Sequence, residues 1–280
     1  IENCFNDSGF PNDIFKNLQI PSDMVAKIIE NNEVSGVVVT GSTQAGKAVA
    51  KKAGECLKKT VLELGGNDPY IILDDANISK AVNSCVEGRI LNGGQSCISA
   101  KRLIVTEKNI DTFTKKIINL LQTKIVGDPH DDVDLGPLVS LSARDEVHEM
   151  VIESIKCGAK LKLGGTLSED EGSYYPITIL SDVKPGMPAF DDEIFGPVFS
   201  IIKAKNDKDA IRLANESKFG LGAAVFTSNI ERGEKIASEE IQSGLCFVND
   251  YVKSDPRLPF GGIKSSGYGR ELSSYGLMEF

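Results

Sequence analysis

Three short stretches carry residue types able to do chemistry. In Asn92-Gly93-Gly94-Gln95-Ser96-Cys97-Ile98-Ser99 a cysteine follows two glycines and small polar residues. Glycines let a ligand approach the backbone closely, and the Cys97 N–H can face an oxyanion, so a nucleophilic thiol suits this stretch. In Val61-Leu62-Glu63-Leu64-Gly65-Gly66-Asn67 an acidic residue sits inside an apolar run, which is costly unless the charge is paired or functional. Burial would raise the Glu63 carboxyl toward the range of a general base; the alternative is a strand-end carboxylate facing water. The third stretch, Gly41-Ser42-Thr43-Gln44-Ala45-Gly46-Lys47, follows a β-branched run and opens an Ala/Lys-rich one.

That third stretch invites a phosphate reading. Gly41-x4-Gly46-Lys47 follows the P-loop pattern up to Ala48, where a Ser or Thr hydroxyl should hold Mg²⁺. Tyr70-Ile71-Ile72-Leu73-Asp74 imitates the second strand of such a site, so a P-loop NTPase is the rival from a different reaction class. The missing hydroxyl argues against it. What remains is a strand-turn-helix whose helix N-terminus can sit against a pyrophosphate, or a tight turn with no ligand. A cysteine hydrolase would want a histidine base. His130 stands beside Asp131-Asp132 and His148 follows Arg144-Asp145-Glu146, both in charged, solvated surroundings. Cys4, Cys56, Cys85, Cys157 and Cys246 read as structural thiols.

The elements that must position these residues alternate short β-branched runs with longer helical ones, the rhythm of an α/β protein. Strands are expected at 35–40, 60–64, 69–73, 102–106, 198–204, 222–227 and 244–248. Helices are expected from the Gly41 turn to about Lys59, from near Asn77, over 109–123 and 141–157, and from about Asp207. A glycine-rich tail runs from Pro259 to Gly269. With no Pro/Ser-rich linker, a domain boundary must fall in a tight junction such as Gly65-Gly66.

Composition narrows the classes. A chain of 280 residues with 41% hydrophobic and 25% charged residues can bury roughly three quarters of its unfolded surface, which excludes intrinsic disorder. No apolar run approaches the roughly 18 to 20 residues of a membrane helix, so no membrane partner is expected. The formal charge of -9 repels a phosphate backbone and argues against a nucleic-acid partner. Six cysteines without a CxxC pair read as reduced thiols, which implies a cytoplasmic location. Two histidines support no metal site. The chain shows no initiator Met, signal peptide or presequence, and is expected to begin inside a longer protein.

Thr40-Gly41-Ser42-Thr43, Leu62-Glu63-Leu64-Gly65-Gly66-Asn67 and Gly94-Gln95-Ser96-Cys97 together resemble the aldehyde dehydrogenase superfamily in identity, order and spacing. Glu193-Ile194-Phe195-Gly196-Pro197-Val198, Phe219-Gly220-Leu221-Gly222 and Pro259-Phe260-Gly261-Gly262-Ile263-Lys264-Ser265-Ser266-Gly267 resemble its later motifs, so the resemblance spans essentially the whole chain. It implies an α/β fold with a Rossmann-like parallel-sheet cofactor domain over residues 1–65, an α/β catalytic domain over 66–265 and a return to the cofactor domain over 266–280. It implies Cys97 as nucleophile and Glu63 as the base for deacylation. Gly41, Ser42 and Leu64 are implied cofactor contacts, the first two at the pyrophosphate, with Glu193 and Phe195 on the nicotinamide-ribose side.

In the implied reaction the Cys97 thiolate attacks an aldehyde, the thiohemiacetal gives a hydride to NAD or NADP, and water activated by Glu63 cleaves the thioester. Relatives that acylate CoA usually lack this glutamate, so Glu63 favours water. Around 63–75, 95–105 and 256–272 the chain looks most like succinate-semialdehyde dehydrogenases. Arg257 and Lys264 are either partners for a substrate carboxylate or plain surface cations. A general short-chain aldehyde dehydrogenase and a catalytically incomplete fragment are the alternatives. The family's oxyanion-hole asparagine, its first cofactor-binding strands and its last oligomerisation strand match nothing between Ile1 and Phe280. The resemblance therefore implies the C-terminal part of a homo-oligomeric parent. Ser99 stands where a small apolar residue or Cys is more usual.

Overall fold

A computed structural model describes residues 1–11, 13–167 and 172–280. In chain order, α1 (Glu2–Asp7) and α2 (Val25–Glu30) precede β1 (Gly36–Thr40), α3 (Thr43–Glu55), β2 (Lys59–Glu63), β3 (Pro69–Ile72) and α4 (Ile78–Ile90). Then come β4 (Arg102–Thr106), α5 (Ile110–Leu121), α6 (Leu141–Lys156), β5 (Lys160–Leu163), β6 (Thr178–Ser181), α7 (Pro188–Asp191) and β7 (Val198–Ala204). The last third holds α8 (Asp207–Asn215), β8 (Phe219–Gly220), β9 (Gly222–Phe226), α9 (Ile230–Lys235), β10 (Leu245–Val248), β11 (Ile263–Lys264), β12 (Gly267–Tyr268) and α10 (Ser273–Leu277).

Continuous apolar runs suit strands that are covered on both faces. Such runs form the centre of a sheet ordered β10-β9-β3-β4-β7-β6-β5, parallel throughout except that β5 runs against β6. Alternation along β3 sends Tyr70 and Ile72 to the face packed by α4 and α5 through Cys85, Phe113 and Ile117. Ile71 and Leu73 go to the other face, packed by α6 and α8 through Val147, Val151 and Leu213. The α/β class read from the sequence is the class of the fold.

A smaller sheet carries the Glu63 and Gly41 stretches. β1 and β2 pair in parallel with Thr40 opposite Glu63, and β12 returns from the far end of the sequence to run antiparallel along β2. Between Glu63 and Pro69 the chain leaves this sheet for the larger one.

The expected strands at 102–106 and 198–204 have the observed bounds, and several others differ by a residue at an end. The 60–64 strand is one such case: it runs Lys59–Glu63, because the Leu64 N–H turns away to the Ser266 carbonyl at 3.0 Å. β5 and β6 were not anticipated. Each is four residues long; β5 alternates Lys with Leu on an exposed edge, and β6 is hemmed by Pro176 and Asp182, so neither offers a long apolar run.

Candidate active site

β1 and β2 deliver two of the chemical stretches side by side. The Ser42 hydroxyl caps α3 by accepting the Ala45 N–H at 3.2 Å, the usual service of an N-cap serine, which stops β1 and starts the helix. The Gly41 N–H donates to the Glu63 carbonyl at 3.0 Å. The Glu63 side chain is 3% exposed, and neither carboxylate oxygen has a hydrogen-bond partner. Burial, reinforced by the Glu271 carboxylate and opposed by Arg270, pushes its pKa up to about 8. The water-facing alternative for this residue is therefore not what the fold contains.

The Cys97 turn is assembled at the end of α4. Asn92, Gly93 and Gly94 all take left-handed φ angles of 54°, 64° and 77°, a run that asparagine and glycine tolerate best. Gly94 also lies against the Gly196 carbonyl, where a Cβ would collide. The amide of Asn92 donates to the Gln95 carbonyl at 2.9 Å, and the Gln95 side-chain oxygen accepts the Val139 N–H at 2.8 Å.

Two buried cations hold this turn from beneath. Arg89, fully buried on α4, donates to the Val198 carbonyl at 2.7 Å, the Ile194 carbonyl at 2.8 Å, the Gly94 carbonyl at 3.4 Å and the Ser99 hydroxyl. Ser99 therefore has a structural occupation that an apolar residue could not fill. Lys101 donates through Nζ to the Ser96 and Cys97 carbonyls at 2.8 and 2.7 Å and pairs with Glu193 Oε1 at 3.1 Å. The same Glu193 oxygen accepts the Gly66 N–H at 3.0 Å, and Gly65 has no room for a Cβ beside the Glu193 carboxylate.

Gly41, Ser42, Glu63, Leu64, Cys97, Glu193 and Phe195, the residues singled out in the sequence, all line one cavity of about 570 Å³. Thr40, Gly65, Gln95, Ser96 and Glu146 complete its wall. Cys97 is half-buried, and burial pushes its thiol up to about 11, with Lys101 pulling the other way. Cys85 is sealed in the core, Cys4 and Cys157 are exposed, and among the described residues Cys97 is the cysteine that faces this cavity.

His130 is solvent-exposed beside Asp128, and His148 stands 3.4 Å from the Tyr175 hydroxyl; neither lines the cavity. The carboxylate-binding reading of Arg257 and Lys264 is corrected. Arg257 is 85% exposed and paired with Asp255, while Lys264 donates to the Asn215 and Ser217 carbonyls at 3.2 Å, and neither reaches the cavity wall.

Arg89, Lys101 and Asp68 were missed from sequence. Asp68 is 1% exposed; its Oδ1 accepts the Gly222 N–H at 3.0 Å, its Oδ2 has no partner, and burial pushes it up to about 7. The available signal was the one that flagged Glu63, a charge in an apolar setting: Lys101-Arg102 opens Leu103-Ile104-Val105.

The sequence pattern that defines the aldehyde dehydrogenase family matches residues 1–280. The chain is 43% identical over 281 residues to the succinate semialdehyde dehydrogenase [NAD(P)+] of Escherichia coli (strain K12), covering 100% of this chain and 61% of the relative. It is 44% identical over 273 residues to the succinate-semialdehyde dehydrogenase [NADP(+)] of Mycobacterium leprae (strain TN), covering 97% and 60%. The succinic semialdehyde dehydrogenase of Streptococcus pyogenes, solved in complex with NADP+, superposes with a TM-score of 0.96 at 40% identity, over 100% of this chain and 61% of that one. The chain thus spans about 60% of the length of these relatives. With the family pattern running from end to end and the same fold at this identity, the chain belongs to the aldehyde dehydrogenase family.

Proposed function

We propose that this chain is the catalytic part of an NAD- or NADP-dependent aldehyde dehydrogenase that oxidises a short semialdehyde, succinate semialdehyde in the first instance, to its carboxylic acid. One observation carries the chemistry: a half-buried thiol, Cys97, shares a cavity with a buried carboxylate that has no hydrogen-bond partner, Glu63. A carboxylate left without a donor in a dry site is available to take a proton. The substrate class is supported by the names of the relatives in Escherichia coli and Mycobacterium leprae.

The residues present fit a nicotinamide dinucleotide. The N-terminus of α3, which opens at Thr43 behind the Ser42 cap, can sit against a pyrophosphate, and Glu193 can accept from ribose hydroxyls at the opposite wall. Leu64 and Phe195 supply apolar surface between them. When bound, the dinucleotide supplies the two-electron acceptor. In this reading residues 1–65 and 266–280 form the cofactor side and 66–265 the catalytic side, in a homo-oligomeric, cytoplasmic parent.

The chain's own groups divide the remaining work. Cys97 Sγ adds to the aldehyde carbon and holds the acyl group as a thioester, with its own N–H beside the oxygen. Glu63 takes a proton from the water that cleaves that thioester. Burial pushes the thiol up to about 11 and the carboxyl up to about 8, so direct transfer from Cys97 to Glu63 is uphill. The thiol therefore needs help beyond the base.

The test is a panel of aldehydes assayed with the complete natural chain. The reading expects kcat/KM for succinate semialdehyde to exceed that for butanal by at least about tenfold, the discrimination expected of a site selective for a carboxylate-bearing aldehyde. Turnover should not require CoA. Equal values for the two substrates would remove the semialdehyde assignment, and strict dependence on CoA would remove the hydrolytic one.

A further inference from the structure

Lys101 is a buried charge beneath the Cys97 turn that neither the nucleophile nor the base accounts for. An ammonium has three donors, and here each has a partner: the Ser96 carbonyl, the Cys97 carbonyl and Glu193 Oε1. The side chain is 2% exposed, and a lysine is almost never buried to this degree unless paired. Neutral donors could have tied down two carbonyls at lower desolvation cost, so the charge itself calls for a use.

We propose that Lys101 is a positioning residue for the nucleophile: it fixes the Ser96–Cys97 backbone and sets against Cys97 a cation that favours the thiolate, with Glu193 as the counter-charge that tempers it. The proposal rests on the reading of Cys97 as the nucleophile. The charges facing the thiol are Lys101, Asp68, Glu193 and Glu63. Burial and the three carboxylates oppose ionisation, and Lys101 promotes it. The charges facing Lys101 are Glu193, Asp68 and Arg89. Removing Glu193's charge should thus make the thiol more acidic, and removing Lys101's should make it less so.

The direction of change separates this role from a plain structural tie. Cutting a tie loosens the turn and exposes Cys97, which speeds its reaction with any reagent. Cutting a thiolate-favouring charge slows it. Cys97 is alkylated with iodoacetamide, a neutral reagent, across a pH series in the complete natural chain and in Lys101→Met and Glu193→Gln. Modification at Cys97 is read by peptide mass, and folding by circular dichroism.

Lys101→Met should slow alkylation at least about fivefold near pH 8.5 and displace the profile to higher pH, while Glu193→Gln should speed it by about threefold. A folded Lys101→Met that reacts as fast as the parent or faster overturns the proposal. Should Lys101→Met not fold, Glu193→Gln decides by its pH profile, which loosening of the turn alone would not displace: a profile that does not move to lower pH overturns the proposal equally. Because alkylation needs no aldehyde, these outcomes are independent of the nucleophile assignment, which fails separately if Cys97→Ser still oxidises aldehyde.

Discussion

Gly41 donates its backbone N–H to the carbonyl of Glu63 at 3.0 Å. That bond extends the β1–β2 ladder one step beyond Thr40, so the turn opening α3 and the strand end bearing the buried carboxylate move as one body. Ligand sites of parallel sheets lie at the carboxyl ends of their strands, and here both ends emerge at the same cavity wall. The absence of a Cβ at Gly65 then lets the Glu193 carboxylate close in from the other side. Glu63 and the α3 N-terminus are thereby set by backbone pairing, whereas Glu193 reaches them from the irregular stretch between α7 and β7.

Glu63→Gln keeps the side-chain shape and removes the carboxylate proposed as the base. General-base assistance is worth about 10² to 10⁴ in rate, so the variant should release about one rapid equivalent of NAD(P)H per site and then stall as a thioester on Cys97. Rapid-mixing absorbance reads the burst, and intact mass reads the adduct. In the parent, the carboxylate form grows as pH rises through about 8, so the deacylation rate should climb through that pH and the climb should vanish in the variant. Unchanged steady turnover in Glu63→Gln would place the base elsewhere.

Cys97→Ser should abolish aldehyde oxidation and leave cofactor binding within about twofold, because a serine hydroxyl is far less ionised than a thiol and the Gly41-Ser42 turn is untouched. Cys157→Ala, at an exposed site after α6, should leave turnover unchanged. Cofactor titration by fluorescence and steady-state assay check both. More than about a tenth of the activity remaining in Cys97→Ser would mean the wrong thiol has been assigned.

What could be read from sequence was whatever leaves a local trace. The Val37-Val38-Val39 run, the glycines at 41, 65 and 94 and the lone acid in Val61–Leu64 are such traces, and they pointed to Gly41, Ser42, Glu63 and Cys97, which line one cavity; Leu64, Glu193 and Phe195, which line it too, were legible only through the family motifs. The β12 return onto β2 joins residues some two hundred positions apart and was legible only through the family motifs. Arg89 left no trace because a cation in a helix normally points to water; only packing shows it turned inward to four oxygens. Arg257 and Lys264 failed for the converse reason: a cation near a motif in sequence need not face the site.

The site's buried acids should make the fold weaken as pH rises. Glu63 and Asp68 carry pKa values raised to about 8 and about 7, above their unfolded values. The folded chain therefore holds protons that the unfolded chain has already released. Stability from this source is complete below the unfolded pKa values, is lost progressively as pH climbs from there up to 7 to 8, and is constant above. Glu63→Gln removes one such acid and should raise stability by about 3 kcal/mol near pH 8.5, with the gap closing toward pH 4. Thermal melts of parent and variant at the two pH values measure it. A variant less stable than the parent at the higher pH would show that the carboxylate is paired in solution.

Arg89 offers the test of how tightly the Cys97 turn is bound to the core. Its guanidinium lies between the Gly94 and Ser99 side of the turn and the Ile194 and Val198 carbonyls that lead into β7. Burial lowers its pKa to about 9, so it remains a cation at neutral pH and its bonds are charge-assisted. Arg89→Met fills a similar volume but leaves buried acceptors without a donor, a loss of about 3 kcal/mol. Arg89→Lys restores the charge, yet an ammonium lacks the planar fork that spans acceptors on two elements, so it should recover less than about half of that. Because the turn carries Cys97 and the α3 N-terminus lies on the other sheet, kcat should fall by at least about tenfold in Arg89→Met while cofactor affinity stays within about twofold. Urea unfolding, steady-state kinetics and cofactor titration supply the three numbers. Equal losses in kcat and in cofactor affinity would mean that the cavity collapses as a whole, and unchanged kcat would mean that the turn holds its shape without Arg89.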